Sequence, residues 1–309
     1  MSKLPSWTNF VAVHSPRVSI VCIFLNAERF LREAVESVLR QDFEDYELLL
    51  VDDGSSDGST GLARNLAARS PGRIRYLEHE GHQNRGMSAS RNFGISHSTG
   101  EFLAFIDADD RWSPEKLREQ VAILDAHPET AMVCGTVNYW SSWEGGEDRL
   151  TPTGHVLDRA SAPPHTALKL YPLGMSDAPC PSDVLVRRSA VERIGGFEEQ
   201  FRTLYEDSAF FTKLFLAFPV WFSSRTWTDY RLHPESCLAA TSRQQHQEVR
   251  REFLDWLSAY LQEHRVAQEA PLRRAIALAR WELDHPVAGR LSRRLRRLLH
   301  PRARPRRAA

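Results

Sequence analysis

Residues 102–110 read FLAFIDADD. Phe102, Leu103, Phe105 and Ile106 make a continuous apolar run, the pattern of a strand covered on both faces. Asp107, Asp109 and Asp110 follow where that strand should emerge. Three carboxylates within four residues repel one another, and clustering them costs free energy unless a cation compensates. Oxygen ligands suit a hard divalent ion, Mg2+ or Mn2+. Such an ion is commonly bridged to phosphate, so the cluster suggests a nucleotide or sugar-nucleotide site. A second reading has the acids cap the next helix. Ser113 before Pro114 is a good helix start, and Asp109 or Asp110 would favour its positive end.

Upstream, VSIVCIFL (18–25) and ELLLV (47–51) are further buried strands, and IRYLEH (74–79) is a shorter one. Between them the apolar spacing turns helical over 27–40, from VDDGSSDGST through about Arg69, and over 87–97. This alternation predicts an α/β fold with a doubly wound, mostly parallel sheet, whose ligands sit beyond the carboxyl ends of the strands. Asp52, Asp53 and the DADD cluster both fall at such ends. Downstream come a helix at about 114–126, a strand at 131–140 and an irregular stretch over 141–183. DVLVRR (183–188) reads as a strand, and SAVERIGG as a short helix stopped by Gly195-Gly196. Helices are expected at 242–264 and 271–283, then a short basic amphipathic one at 290–299. The organisation expected is a catalytic domain over 1–236 and a helical extension over 237–309 that ends in a basic tail.

The chain has 309 residues, 42% of them hydrophobic, enough to bury a sizeable core. No apolar run approaches the roughly 20 residues that a membrane-spanning helix needs. The first 17 residues lack the continuous apolar core of a secretory signal. Cys22, Cys134, Cys180 and Cys237 are too widely spaced for a disulfide framework or a CxxC pair, which is consistent with a reducing cytoplasm. Net charge is zero, but residues 290–309 hold nine arginines and no acid, so the rest of the chain carries −9 by difference. The basic tail either is a solvated end or lies on an anionic membrane surface with Leu291, Leu295, Leu298 and Leu299 toward lipid. Nucleic acid is not an expected partner, because the acidic body repels phosphate.

Four further motifs carry chemistry. VDDGSSDGS (51–59) places Asp53 where it can accept a hydrogen bond from a base N–H or a ribose hydroxyl; Asp-Gly is also an ordinary turn. NRGMSASRNFGI (84–95) offers Arg91 either to a diphosphate or base, or to a carboxylate of the body. YEDSAFF (205–211) sets Glu206 and Asp207 before an apolar helix. There a carboxylate either takes the proton of an attacking hydroxyl or simply completes a helix N-terminus. YRLHPES (230–236) holds His233, a nitrogen ligand for a carboxylate-bound metal or a structural histidine. The loops at 141–183, with Trp143 and Tyr171, and the adjoining Trp140 either stack on acceptor sugar rings or cover the sheet.

Taken in order, VSIVCIFLNAERFL, VDDGSSDGST, NRGMSASRNFGI, FIDADD, GGFEE, YED and YRLHP resemble an inverting family 2 glycosyltransferase of the A-type nucleotide-sugar fold, over about residues 17–236. The resemblance implies roles for particular residues. Asp53 would contact the nucleobase, and Asp107 and Asp109 would form the DxD pair for ribose and the diphosphate-bound metal. Asp110 would share metal ligation, His233 would lie near metal and diphosphate, Arg91 would line the nucleotide pocket, and Asp207 would be the catalytic base. It further implies Mg2+ or Mn2+, a nucleotide-sugar donor with a UDP-sugar first in line, and a glycan or lipid-linked hydroxyl acceptor. The expected location is the cytoplasm, with peripheral contact at the inner face of the plasma membrane. The first strand ends in Ile23-Phe24-Leu25-Asn26 where many relatives have Pro-Thr-Tyr-Asn. The QxxRW motif of processive synthases is absent, which favours single additions. A nucleotidyltransferase and an inactive nucleotide-sugar binder are the rival readings. The first would need a glycine-rich basic loop near its first strand; VCIFLNAERF supplies only Arg29.

Overall fold

The computed structural model describes residues 15–264 and 269–299. Val18–Phe24 (β1), Tyr46–Asp52 (β2), Ile74–Glu78 (β3) and Phe102–Asp107 (β4) pair in parallel in the order β3-β2-β1-β4. Leu31–Leu39 (α1), Ser59–Arg69 (α2) and Met87–Ser96 (α3) cross between them. The strands read as unbroken apolar runs because both faces are covered. Ile20, Cys22, Leu48, Leu50, Ala104 and Ile106 face α1, α2 and the helix Lys116–Ala126 (α4). Val21, Ile23, Leu49, Val51, Leu103 and Phe105 face the opposite core. On α3, Gly94 admits β1: a Cβ there would stand 2.4 Å from Val21 Cγ1.

The sheet continues through strands of mixed direction. Arg111–Trp112 (β5) follows the acidic cluster directly, then Met132–Trp140 (β6). The stretch expected to be irregular adds two short strands, Arg149–Pro152 (β7) and Arg159–Ser161 (β8), and the helix His165–Lys169 (α5). Leu185–Arg187 (β9) lies antiparallel between β4 and β6. Arg188–Ile194 (α6) stops at Gly195, in the left-handed conformation that glycine favours there. Glu206–Ala217 (α7) then leads into Val220–Arg231 (β10), which runs parallel to β6 and pairs antiparallel with β5 and β8.

The remaining helices are Cys237–Ala240 (α8), Arg243–Glu263 (α9), Ala270–Asp284 (α10) and Pro286–Leu299 (α11). Ser242 and Gln245 close a reciprocal capping box at the start of α9. Phe253, Leu254 and Leu257 of α9 and Leu272, Ile276 and Ala279 of α10 join the same core as Val21, Leu49 and Phe105. Packing is therefore continuous across residue 236, where the chain changes to helix. No described helix is long and apolar enough to cross a membrane. The first 14 residues and those from 300 onward lie outside the described part, and with them the expectations for a leader and for the distal tail.

Candidate active site

In the register of the sheet, Phe24 of β1 pairs with Asp52 on one side and Ile23 with Asp107 on the other. The two acidic tips therefore emerge two strand spacings apart, about 10 Å. A cavity of about 1190 Å³ opens beyond them. Asp53, Asp107, Asp109, Asp207 and His233 all line it, so five of the seven expected site residues meet in one place.

The neighbours Asp52 and Asp53 do different work. Asp52 is fully buried and folds the turn, accepting from the Ser55 N–H at 2.8 Å, Thr60 Oγ1 at 2.5 Å and the Tyr76 hydroxyl at 3.2 Å. Asp53 faces the cavity. Its Oδ1 accepts from the N–H of Arg85 at 2.7 Å and from Ser90 Oγ at 3.0 Å, and its Oδ2 from the N–H of Gly86 at 3.0 Å. These bonds hold the carboxylate at a fixed height on the cavity wall. Gly86 can serve because its φ is +92°, and a Cβ there would meet Arg202 Cβ at 2.9 Å.

The capping interpretation of the DADD cluster does not survive the fold. β5 stands between the acids and α4, whose first turn begins at Glu115 without any side-chain cap, and Ser113 Oγ is buried without a hydrogen bond. Asp110, expected to share metal ligation, does not line the cavity. It is buried, its Oδ1 accepts from the Arg231 N–H at 2.9 Å, and its Oδ2 accepts from Ser182 Oγ at 2.5 Å. Burial, then the Asp109 and Asp107 carboxylates, push its carboxyl well above the usual range. Asp110 ties the loop to β10, and the same Ser182 Oγ accepts the Asp107 N–H.

That tie brings His233 to Asp109. Arg231 Nε donates to the Asp109 carbonyl at 2.7 Å, and two residues on His233 Nε2 lies 2.9 Å from Asp109 Oδ2. The imidazole packs on Phe30 with ring centroids 4.8 Å apart, and its buried Nδ1 has no hydrogen bond. This oxygen and nitrogen donor pair fits a divalent ion such as Mn2+. Among the described residues, no three His, Cys, Asp or Glu side chains form a complete cage. An ion held here would need phosphate or water oxygens to complete its shell, the usual arrangement at nucleotide sites.

Arg91 follows the second of its two readings and pairs with carboxylates of the body. It does not reach the cavity. Its side chain is buried on α3, with Nη2 donating to Asp107 Oδ1 at 2.6 Å and Nη1 forming an ion pair with Glu206 Oε1 at 2.8 Å. Burial opposes its charge, but Glu206 and Asp107 outweigh that and hold the guanidinium above its ordinary range. Arg91 thus clamps the tip of β4 to the start of α7. Asp207, next to Glu206, is thereby presented to the cavity. Its Oδ1 accepts from the Ser208 N–H at 2.5 Å, while Oδ2 has no hydrogen bond among the described residues. Burial raises the Asp207 carboxyl above its ordinary value, and burial pushes Glu206 up to about 8 against the pull of Arg91. Tyr205, before them, sits at φ +63°, a strained conformation for an aromatic residue, with its hydroxyl bonded to that of Tyr171.

Of the expected aromatic wall, Tyr171 lines the cavity, but Trp140 and Trp143 do not. They pack on the Arg231 guanidinium at 4.2 and 4.7 Å and so brace the loop that carries His233. Sequence reading also passed over Ser182, Arg231 and Tyr205. Their importance comes from contacts across 70 or more residues of chain for Ser182 and Arg231, which no local pattern signals.

An open α/β sheet with its acids gathered in one carboxyl-end cleft places the site where such folds bind their ligands. The description of glycosyl transferase family 2 matches residues 19–195, more than half of the chain, and the chain belongs to that family. Bacillus subtilis (strain 168) EpsE, named as a glycosyltransferase, is 39% identical over 112 residues, 36% of this chain and 40% of its own length. The B. subtilis minor teichoic acid biosynthesis protein GgaB is 29% identical over 152 residues, 48% of this chain and 17% of its own length. The matched part thus spans well under half of these relatives. S. aureus TarS in complex with UDP-GlcNAc superposes with a TM-score of 0.61 at 20% identity, covering 78% of this chain and 66% of that one. The Pyrobaculum calidifontis mannosyltransferase PcManGT, in complex with GDP-Man and Mn2+, gives 0.56 at 20% identity, covering 88% and 70%. Both share the A-type fold.

Proposed function

We propose that this chain transfers a single sugar, with inversion, from a nucleoside-diphosphate sugar to a hydroxyl acceptor in cell-surface polysaccharide or glycolipid assembly. The observation that carries this reading is one cavity lined both by the acids of the strand tips and by Asp207, whose Oδ2 has no hydrogen bond among the described residues. Nucleotide-sugar complexes of both structural neighbours support the donor class. The base is not fixed by them, because one neighbour is in complex with a UDP-sugar and the other with a GDP-sugar.

In this mechanism Asp53 meets the nucleobase and Asp107 the ribose. Asp109 and His233 would hold the divalent ion, which supplies positive charge to the departing diphosphate. Asp207 accepts the proton of the acceptor hydroxyl as that oxygen attacks the anomeric carbon opposite the leaving group. A single displacement inverts the configuration. Glu206 is spent on Arg91 and offers no second nucleophile, which supports inversion over retention. The outer stripe of α11, where Val287, Leu291 and Leu295 stand exposed, suits peripheral contact with the inner leaflet of a membrane. Turnover of nucleotide-sugar donors in the presence of Mn2+, with release of UDP or GDP as readout, tests the reading. Release that Asp207→Asn leaves intact would remove Asp207 from its role.

A further inference from the structure

The basic helix does not lie as its composition suggested. At 100° per residue, Arg290, Arg293 and Arg296 occupy one side of α11, and Val287, Leu291 and Leu295 the opposite side. The arginine side lines the cavity, whereas the apolar side is exposed. Gly289 allows this docking. A Cβ there would stand 2.6 Å from the Glu282 carbonyl of α10, so any side chain would lift α11 away.

We propose that this wall is a second subsite of the same cavity, taking the phosphate or diphosphate of an anionic acceptor. The proposal deepens the transferase reading above and rests on it. On the α9–α11 wall the cavity lining contains Arg243, Arg250, Arg290, Arg293 and Arg296 against one carboxylate, Glu282. Glu282 is buried and already pairs with both Arg293 and Arg296. Arg243 and Arg290 have no ion-pair or hydrogen-bond partner among the described residues. The Nε atoms of Arg250 and Arg296 are buried without a hydrogen bond, and Arg250 Nη2 donates a long hydrogen bond of 3.4 Å to the Pro172 carbonyl. Such a surplus of guanidinium donors over carboxylates, two of them with a buried and unanswered Nε, is matched by phosphate, which accepts two parallel N–H bonds from each fork. A neutral glycan would leave the donors unanswered.

The wall stands on the acceptor's side of the base. Arg250 lies 5.7 Å from the Tyr171 ring, the Tyr171 hydroxyl bonds that of Tyr205, and Tyr205 directly precedes Glu206 and Asp207. The donor's phosphates are assigned instead to Asp109, just after β4, and His233, just after β10. One diphosphate site therefore depends on a metal and the other does not.

Calorimetry on the full chain separates them. Inorganic pyrophosphate titrated in EDTA should bind wild type, and Arg250→Gln and Arg290→Gln should each weaken it by about 5–10-fold. Asp109→Ala should not weaken it. Arg290 is exposed and has no protein partner, so its variant keeps the fold, which its thermal midpoint verifies. UDP and GDP titrated with Mn2+ should bind both arginine variants as they bind wild type. No pyrophosphate binding in EDTA, or binding that the arginine variants leave unchanged, would overturn the subsite. Absence of any nucleotide binding beside arginine-dependent pyrophosphate binding would overturn the donor reading alone. A prenyl diphosphate that binds at least about tenfold more tightly than pyrophosphate would assign a lipid-borne acceptor. Equal affinities would assign a soluble phosphorylated one.

Discussion

Asp109 and Asp110 are adjacent in sequence and face opposite surroundings. One points to the cavity beside His233, and the other is buried between Ser182 and Arg231. Asp109→Ala is expected to abolish the Mn2+-dependent part of nucleoside-diphosphate affinity, read by calorimetry with and without the ion. Asp110→Asn should leave that affinity within a few-fold and lower the thermal midpoint instead. The strand-then-acid pattern made the cluster legible, but which acid turns inward depends on Ser182 and Arg231, distant in sequence. Arg91 shows the same limit. Its place in the motif was plain, but its partners Asp107 and Glu206 come together only when β4 and α7 meet. Asp207→Asn should lower kcat by about 10²–10⁴-fold, with donor affinity within a few-fold. The pH dependence has a definite sign. As the proposed base Asp207 would act deprotonated, and burial raises its carboxyl above the ordinary 3.8. Activity should therefore fall on acidification along a limb displaced upward from the usual carboxylate range, read as kcat/KM against pH.

At the scale of elements, the first four strands and three helices were readable because continuous apolar runs and helical spacing each dominate their segments. β10 was not. Its sequence, VWFSSRTWTDYR, mixes polar residues into the strand, and register shifts after Phe222 and Thr226 break the alternation that marks a half-buried strand. That strand delivers Arg231 and His233, so missing it hid how the histidine reaches Asp109. The loop from Asn84 to Gly86 is equally specific. Gly86→Ala adds a Cβ at φ +92° against Arg202, at a cost of about 1–3 kcal/mol, and displaces an N–H that holds Asp53. A lower thermal midpoint together with weaker nucleotide binding is expected. Unchanged nucleotide affinity in a folded Gly86→Ala protein would separate Asp53 from the base site.

Across the whole molecule, charge is divided rather than cancelled. The strand tips supply acids to one wall of the cleft and α9–α11 supply arginines to the other, which net composition conceals. The sequence marked α11 as amphipathic, but not which side would face the body. Gly289 and the buried Glu282 decide that. With Arg290, Arg293 and Arg296 of α11 on the cavity side, the proposed membrane contact would fall to Val287, Leu291 and Leu295. Leu291→Gln with Leu295→Gln should abolish flotation with anionic vesicles while leaving turnover of soluble donor unchanged. Flotation that persists would place the contact elsewhere. The division into an acidic donor wall and a separate acceptor side depends on where the cation sits. Anomalous diffraction from crystals grown with Mn2+ and a nucleoside diphosphate locates it directly. The expected peak lies within ligand distance of Asp109 and His233, with the base beside Asp53. A peak bound by neither residue, or a nucleotide lodged against Arg250 and Arg290, would contradict it.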